Sequence, residues 1–246
     1  MFPTVFKSLR WLADWAYPVG CVICRRECHS RVPICTVCRR RLPVFADPMC
    51  PDCGSFAFDG ERSPVCQAHT IGKVALVWCA GMFDDGYRPL VHALKYERQL
   101  GVGEHFGRRI GLAMRRKVRR DAAGLLAVPV PLHPSREKHR GYNQSAAIAR
   151  GLVRVASMTL SCDLLARVRK TKDQTRLSPA DREANVRGAF RVTEPGCFAE
   201  KDVILVDDVM TTGATLMECA RMILADGASR VDAAVIAMAR PPGAAT

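Results

Sequence analysis

Near residue 73 the rhythm of apolar and polar positions changes. Before it, between Pro48 and Lys73, the chain is rich in Gly, Pro, Asp and Ser and has few long apolar runs, which predicts a surface module running into a domain boundary. Beyond it, residues 74–83 form a strand-like apolar run, and residues 87–99 carry Leu90, Val91, Leu94 and Lys95 in helical register. Residues 104–120 place Phe106, Ile110 and Met114 at intervals of four, which predicts a helix. Arg108, Arg109, Arg115, Arg116, Lys117, Arg119 and Arg120 crowd its remaining surface, a solvated face and the first candidate for polyanion contact.

The alternation then becomes regular. Residues 125–131 read as a buried strand, 142–156 as a helix, 164–168 and 203–206 as strands, 215–225 as a helix closed by Gly227, and 231–239 as a last strand. Strand, helix and strand in this order predict a parallel sheet, whose ligands gather beyond the carboxyl ends of the strands. Chemistry is therefore expected in the loops after Val130 and Val206. At the start, Phe2, Val5, Phe6, Leu9, Leu12 and Trp15 recur at helical spacing and predict a short amphipathic helix packed on its own domain.

Composition narrows the class without choosing a function. A chain of 246 residues, 48% hydrophobic and 25% charged, can bury a real core as a folded protein. Its formal net charge of +13 favours polyanions, whether nucleic acid, phosphorylated small molecules or an anionic membrane surface. No stretch approaches the roughly 18 uncharged apolar residues that span a bilayer, which leaves at most a peripheral membrane contact. Lys7, Arg10 and Asp14 interrupt the opening apolar residues, so these do not read as a secretion signal, and reduced thiols in a cytoplasm are expected.

The cysteines are local. Of twelve, seven fall between Cys21 and Cys53 and one more is Cys66. They form knuckles in order: Cys21 with Cys24, Cys35 with Cys38, Cys50 with Cys53, and Cys66 with His69. Two intervening residues let a tight turn aim both side chains at one ion, and Zn²⁺ takes four such donors as a tetrahedron. Eight ligands predict two structural sites, pairing either neighbouring knuckles or the first with the third. So short a segment builds little core, and metal ligation is expected to supply most of its folding free energy. Residues 1–72 are thus expected to hold the opening helix and a double zinc ribbon, and residues 73–246 the α/β domain.

The most informative run is Val203-Ile204-Leu205-Val206-Asp207-Asp208-Val209-Met210-Thr211-Thr212-Gly213-Ala214-Thr215. A buried strand ends in two carboxylates able to accept hydrogen bonds from ribose hydroxyls. Thr211, Thr212, Gly213 and Thr215 then enter a helix, where hydroxyls, backbone N–H groups and the helix dipole favour a phosphate. A carboxylate pair can also hold Mg²⁺, and threonines before a helix can be caps. The second loop, residues 132–144, brings the cations Arg136, Lys138 and Arg140 to the same edge, suited to a pyrophosphate or simply exposed. No P-loop pattern is present, and Gly101, Gly103 and Gly107 miss the dinucleotide spacing.

The acidic-pair run resembles the phosphoribosyl pyrophosphate motif of type I phosphoribosyltransferases. That resemblance assigns the ribose hydroxyls to Asp207 and Asp208, and the 5′-phosphate to Met210, Thr211, Thr212, Gly213 and Thr215. With residues 128–133, 140–144, Gln174-Thr175-Arg176-Leu177-Ser178, Arg182, Asn185 and the paired cysteines, the chain is similar to the ComF family over roughly residues 15 to 240. The resemblance implies a type I phosphoribosyltransferase-like parallel sheet flanked by helices behind a small zinc-ribbon module. It further implies phosphoribosyl pyrophosphate with Mg²⁺ as ligand, a lid over residues 170–188, where Ser178, Pro179 and residues 181–185 can instead start a short fixed helix, and a link to single-stranded DNA and competence proteins. His69 stands where the family has a cysteine, and Arg176 where a smaller residue is usual. A transferase, a DNA-processing accessory that uses the fold as scaffold or sensor, and a non-catalytic regulator all fit.

Overall fold

The computed structural model describes residues 20–28, 32–42, 44–45, 47–52, 55–56, 73–84, 86–117, 124–171 and 178–239. The expected opening helix, Cys53, Cys66, His69, Arg119, Arg120 and the middle of the expected lid lie outside the described residues. Five strands make one parallel sheet: β1 (Val77–Met82), β2 (Leu125–Pro129), β3 (Thr159–Leu160), β6 (Asp202–Met210) and β7 (Arg230–Met238). Their order is β1-β7-β6-β2-β3. The chain moves outward from β2 to β3 and in the opposite direction from β6 to β7. The carboxyl ends of β2 and β6 therefore flank the switch point of the sheet, where an open α/β fold leaves a crevice.

Both faces of the sheet are covered, which is why its strands read as nearly unbroken apolar runs. Successive side chains alternate between the faces. Trp78, Ala127, Ile204, Val206 and Ile236 pack with the helices α2 (Arg88–Tyr96), α3 (Leu100–Lys117) and α5 (Gln144–Val153). Val77, Val128, Val203, Leu205 and Val235 pack with α7 (Ala214–Ala225) on the other. Helices α3 and α5 approach so closely that a Cβ on Gly107 would strike the Ile148 carbonyl, and one on Gly151 the Glu104 backbone. These glycines serve helix packing, not a nucleotide loop.

Two expectations need correction. Residues 164–168 do form a strand, β4 (Leu165–Arg167), but it pairs antiparallel with β5 (Phe190–Val192) in a separate two-stranded sheet. β3 already occupies the edge beside β2, and the few residues from Leu160 to Leu165 are far short of a parallel crossover, which takes about a dozen. The basic loop after β2 is largely a helix, α4 (Pro134–Arg140). His133 caps it by accepting from Ser135 N–H, Pro134 enters with its φ preset, and Gly141 ends it at φ 82°. Within residues 170–188 the helical alternative is realised in α6 (Pro179–Val186), which starts on Ser178, whose Oγ accepts from Asp181 N–H at 3.2 Å.

The cysteine-rich module leans on the sheet. Met49 and Val77 exchange two backbone hydrogen bonds at 2.8 Å, and Phe45 N–H donates to Ala80 O at 3.3 Å, so this stretch covers the outer edge of β1. Beyond it, α1 (Thr36–Arg41) ends at Leu42, whose carbonyl accepts from Arg109 of α3 at 3.0 Å. Among the described residues, no helix is long and apolar enough to cross a membrane.

Candidate functional site

The first two knuckles meet. The sulfurs of Cys21, Cys24, Cys35 and Cys38 all lie within 4.8 Å of one another, with Cys24 and Cys35 at 3.7 Å. Zn–S bonds of about 2.3 Å in a tetrahedron require sulfurs about 3.8 Å apart, so this donor set fits zinc closely. Cys35 N–H points at Cys21 Sγ (3.3 Å) and Cys38 N–H at Cys35 Sγ (3.4 Å), which stabilises negative sulfur. Burial pushes the Cys21 thiol up, yet the backbone N–H groups aimed at it prevail and hold it at about 6. The four residues are partly or fully buried, and a four-thiolate set leaves no position for water, so the site is structural. Cys50 is buried, while its expected partners Cys53, Cys66 and His69 lie outside the described residues.

The larger feature is a cleft of about 650 Å³ at the switch point. Asp207 and Asp208 lie inside β6 rather than beyond it, because β6 continues alongside β7 as far as the Met210–Met238 pair. β2 pairs only as far as Pro129 with Val206, followed by one bond from Val130 N–H to Val206 O. From Asp207 onward, β6 thus has a ladder partner on one side and the cleft on the other.

The two carboxylates have different surroundings. Asp207 Oδ1 accepts from Ser145 Oγ at 2.9 Å and from Asp208 N–H at 2.8 Å. Ser145 is held there by Asn143, which caps α5 by accepting from Ser145 N–H (2.9 Å) and donates to Val130 O (3.0 Å). Burial and then the Asp208 charge push Asp207 up to about 7, against Lys95, the Asp208 N–H and Ser145. Asp208 is 3% exposed, with Oδ1 at 2.8 Å from Lys95 Nζ and Oδ2 buried without a hydrogen bond among the described residues.

The strand then turns into α7 through Thr211, Thr212 and Gly213. Gly213 adopts φ 76°, the left-handed region, and a Cβ there would sit 2.9 Å from Met210 Cε. The first turn of α7 leaves N–H groups without intrahelical partners, and the helix dipole adds positive potential there.

Asp207, Asp208, Thr211, Thr215, Arg136 and Arg140 all line the cleft. Met210, Thr212, Gly213 and Lys138 do not; Met210 is buried beneath the turn and Lys138 is exposed on α4. The cleft wall also includes Lys95, Arg98, Arg167 and Arg182, which were not expected as site residues. Arg140 donates to Gln144 Oε1 at 2.5 Å and lies 5.7 Å above the Tyr96 ring. Arg98 holds a left-handed φ of 55°, a strained conformation outside glycine. Six Lys and Arg side chains face two Asp, which makes the cleft a receptor for anions. Nothing in periodicity marks Lys95, since it continues the helical register of α2; only its arrival opposite Asp208 does.

A parallel sheet with an anion-receptive cleft at its switch point, fronted by a four-cysteine cluster, defines a phosphoribosyltransferase-like protein with a zinc ribbon. Residues 140–244 match the family model described as the phosphoribosyl transferase domain, and residues 12–69 the double zinc ribbon domain. The chain belongs to the ComF family. It is 32% identical to the DNA utilization protein YhgH of Salmonella typhi over 223 residues, 87% of this chain and 94% of that protein. It is 29% identical to competence protein F of Haemophilus influenzae over 210 residues, 82% of this chain and 90% of that one. Among solved structures it is similar to a glutamine phosphoribosylpyrophosphate amidotransferase from B. subtilis, with a TM-score of 0.39 and 18% identity, covering 59% of this chain and 30% of that one.

Proposed function

We propose that the cleft binds phosphoribosyl pyrophosphate together with Mg²⁺ and that the chain acts, in the cytoplasm, in the handling of DNA taken up or used by the cell. The observation that carries this reading is the juxtaposition, on one cleft wall, of Asp207 with Thr211 and Thr215 at the start of α7. The carboxylate accepts from the ribose hydroxyls while the helix entrance takes the 5′-phosphate. Arg136 and Arg140 face the pyrophosphate. Mg²⁺ would neutralise the pyrophosphate when bound. Lys95 pairs with Oδ1 of Asp208, so any carboxylate share in holding that ion would fall to Asp207 and to Oδ2 of Asp208. Transfer would form a bond from an acceptor nucleophile to C1′ as the bond from C1′ to the pyrophosphate oxygen breaks. In this reading residues 1–72 form the zinc-ribbon module and 73–246 the phosphoribosyl domain. Calorimetry with phosphoribosyl pyrophosphate and Mg²⁺ tests it: saturable binding is expected, weakened about ten- to hundredfold by Asp207→Asn. No heat from the native protein would sink the reading.

A second role is favoured by the basic ridge between module and domain. Burial first, and then the charges of Arg109 of α3, Arg39 of α1 and Arg108 of α3, lower the His105 pKa to about 4. Arg40 and Arg41 of α1 and Arg115 and Arg116 of α3 are exposed in the last turns of these two helices. The relatives named for competence and DNA utilization make single-stranded DNA the partner to try. Gel shifts should weaken steeply with salt, and charge reversal at Arg115 and Arg116 should lower the affinity. Indifference to both would remove this role.

A further inference from the structure

Residues 140–145 join α4 to α5, and their side chains reach three other elements around the cleft. Tyr142 Oη donates at 2.6 Å to the carbonyl of Leu94, the residue of α2 next to Lys95. Asn143 Nδ2 donates to Val130 O at 3.0 Å, just past β2, while its Oδ1 caps α5 by accepting from Ser145 N–H at 2.9 Å. Ser145 Oγ then donates to Asp207 Oδ1 on β6 at 2.9 Å. Bonds to α2 and to the end of β2 thus fix the turn on both sides before it meets β6.

Ser145 is fully buried, and the residues that follow it, Ala146, Ala147, Ile148 and Ala149, are buried and apolar. Helix capping does not call for a hydroxyl there, because Asn143 supplies the cap. Packing does not either, since an alanine would fill nearly the same space. A buried hydroxyl costs stability unless it is bonded, and the bond that offsets the cost goes to Asp207. With the Asp208 N–H at 2.8 Å, this puts two donors on one oxygen, Oδ1, and fixes the rotation of the carboxylate. Asp207 itself is only partly buried and lines the cleft, whereas Ser145 does not line it.

We propose that Ser145, held by Asn143, is a positioning residue for the sugar: it orients Asp207 toward a ring hydroxyl, so that the cleft prefers ribose 5-phosphate to its deoxy analogues. It acts through the carboxylate and does not touch the ligand. The inference rests on the sugar-phosphate reading given above and adds a source of sugar specificity outside the acidic-pair segment.

The test is calorimetry of the full chain with ribose 5-phosphate, 2-deoxyribose 5-phosphate, 3-deoxyribose 5-phosphate and inorganic pyrophosphate. The native protein should prefer ribose 5-phosphate to at least one deoxy analogue by about ten- to hundredfold, the worth of a hydrogen bond to a charged group. Ser145→Ala should cut that preference about three- to tenfold and leave pyrophosphate binding within about twofold. In an Asp207→Asn background the same substitution should leave the preference where it was, because both changes act on one contact. Ser145→Cys, similar in shape with a weaker donor, replaces the alanine variant if a thermal melt shows that one unfolded, and should lose part of the preference. A variant that keeps the native preference, or that weakens pyrophosphate as much as ribose 5-phosphate, overturns the role of Ser145 and leaves the sugar-phosphate reading standing. A native protein that binds all three sugar phosphates equally does the same. A native protein that binds no sugar phosphate retires the reading itself, and this role with it.

Discussion

Lys95 Nζ lies 2.8 Å from Asp208 Oδ1, so a lysine on α2 neutralises the better buried member of the aspartate pair on β6. Burial alone would lower the lysine's pKa, but the Asp208 charge and hydrogen bond outweigh it and hold it above the ordinary value. Removing the cation strands a carboxylate that is 3% exposed. Lys95→Met should therefore destabilise the protein by about 3 kcal/mol, the low end for a broken buried pair because Lys95 keeps partial contact with solvent. Adding Asp208→Asn should recover most of the loss. Urea unfolding of the single and double variants measures both, and an unmoved midpoint for Lys95→Met would refute the pairing.

The α3–α5 contact has no room for side chains at its centre. Gly107 faces the Ile148 carbonyl, and a Cβ at Gly111 would come within 2.7 Å of the Leu152 carbonyl. Because the obstacle is backbone, it cannot rotate aside as a side chain would. Gly107→Ala should cost about 2–3 kcal/mol despite the better helix propensity of alanine. It should also weaken ligand binding, because α5 carries Ser145 to Asp207. A thermal midpoint within a degree or so of the native one would show that the helices can part at little cost.

The four-cysteine cluster predicts at least one tightly held zinc. Cys38→Ser should release one ion per chain, read by metal analysis after denaturation, and with it the anchoring of Leu42 against Arg109. Should Cys50, Cys53, Cys66 and His69 hold a second ion, the native protein carries two and the variant one. Native protein free of zinc, or a variant with undiminished zinc, would exclude metal from the first cluster.

The parallel sheet and the two loops at its carboxyl edge could be read from the order of apolar runs, because doubly covered strands need continuous hydrophobicity and a helix between them, whereas the strand order that makes the switch point could not. The acidic pair could be read because its chemistry is concentrated in one segment. Lys95, Arg98 and Arg167 could not: the first two come from the end of α2 and the link after it, Arg167 from β4, and only the fold brings them to the acidic pair. β4 looked like any other strand, since its departure from the sheet is decided by the shortness of its link to β3, a property of topology rather than of its residues. The helix α4 was hidden by its cations, although Pro134 and Gly141 bracket it with a start and a stop.

The raised pKa of Asp207 has a sign that stability measurements can detect. A free carboxyl titrates near 4 and Asp207 at about 7, through burial first and the Asp208 charge second. Between those values the native state holds a proton that the unfolded chain has released. Stability contributed by this group is thus fully present below about pH 4 and is lost as pH rises through about 7, by at most about 4 kcal/mol. Asp207→Asn cannot ionise, so the stability difference between variant and native protein should shift in favour of the variant across that window. Comparing the two proteins at each pH cancels the other carboxylates, most of which act in the opposite sense. Urea midpoints from pH 4.5 to 8.5 give the difference. If it stays flat, Asp207 is an ordinary solvated carboxylate. Ligand binding through its charged form would then show no rise near neutral pH, and its place in the anion-receptive cleft would have to be explained by Ser145 alone.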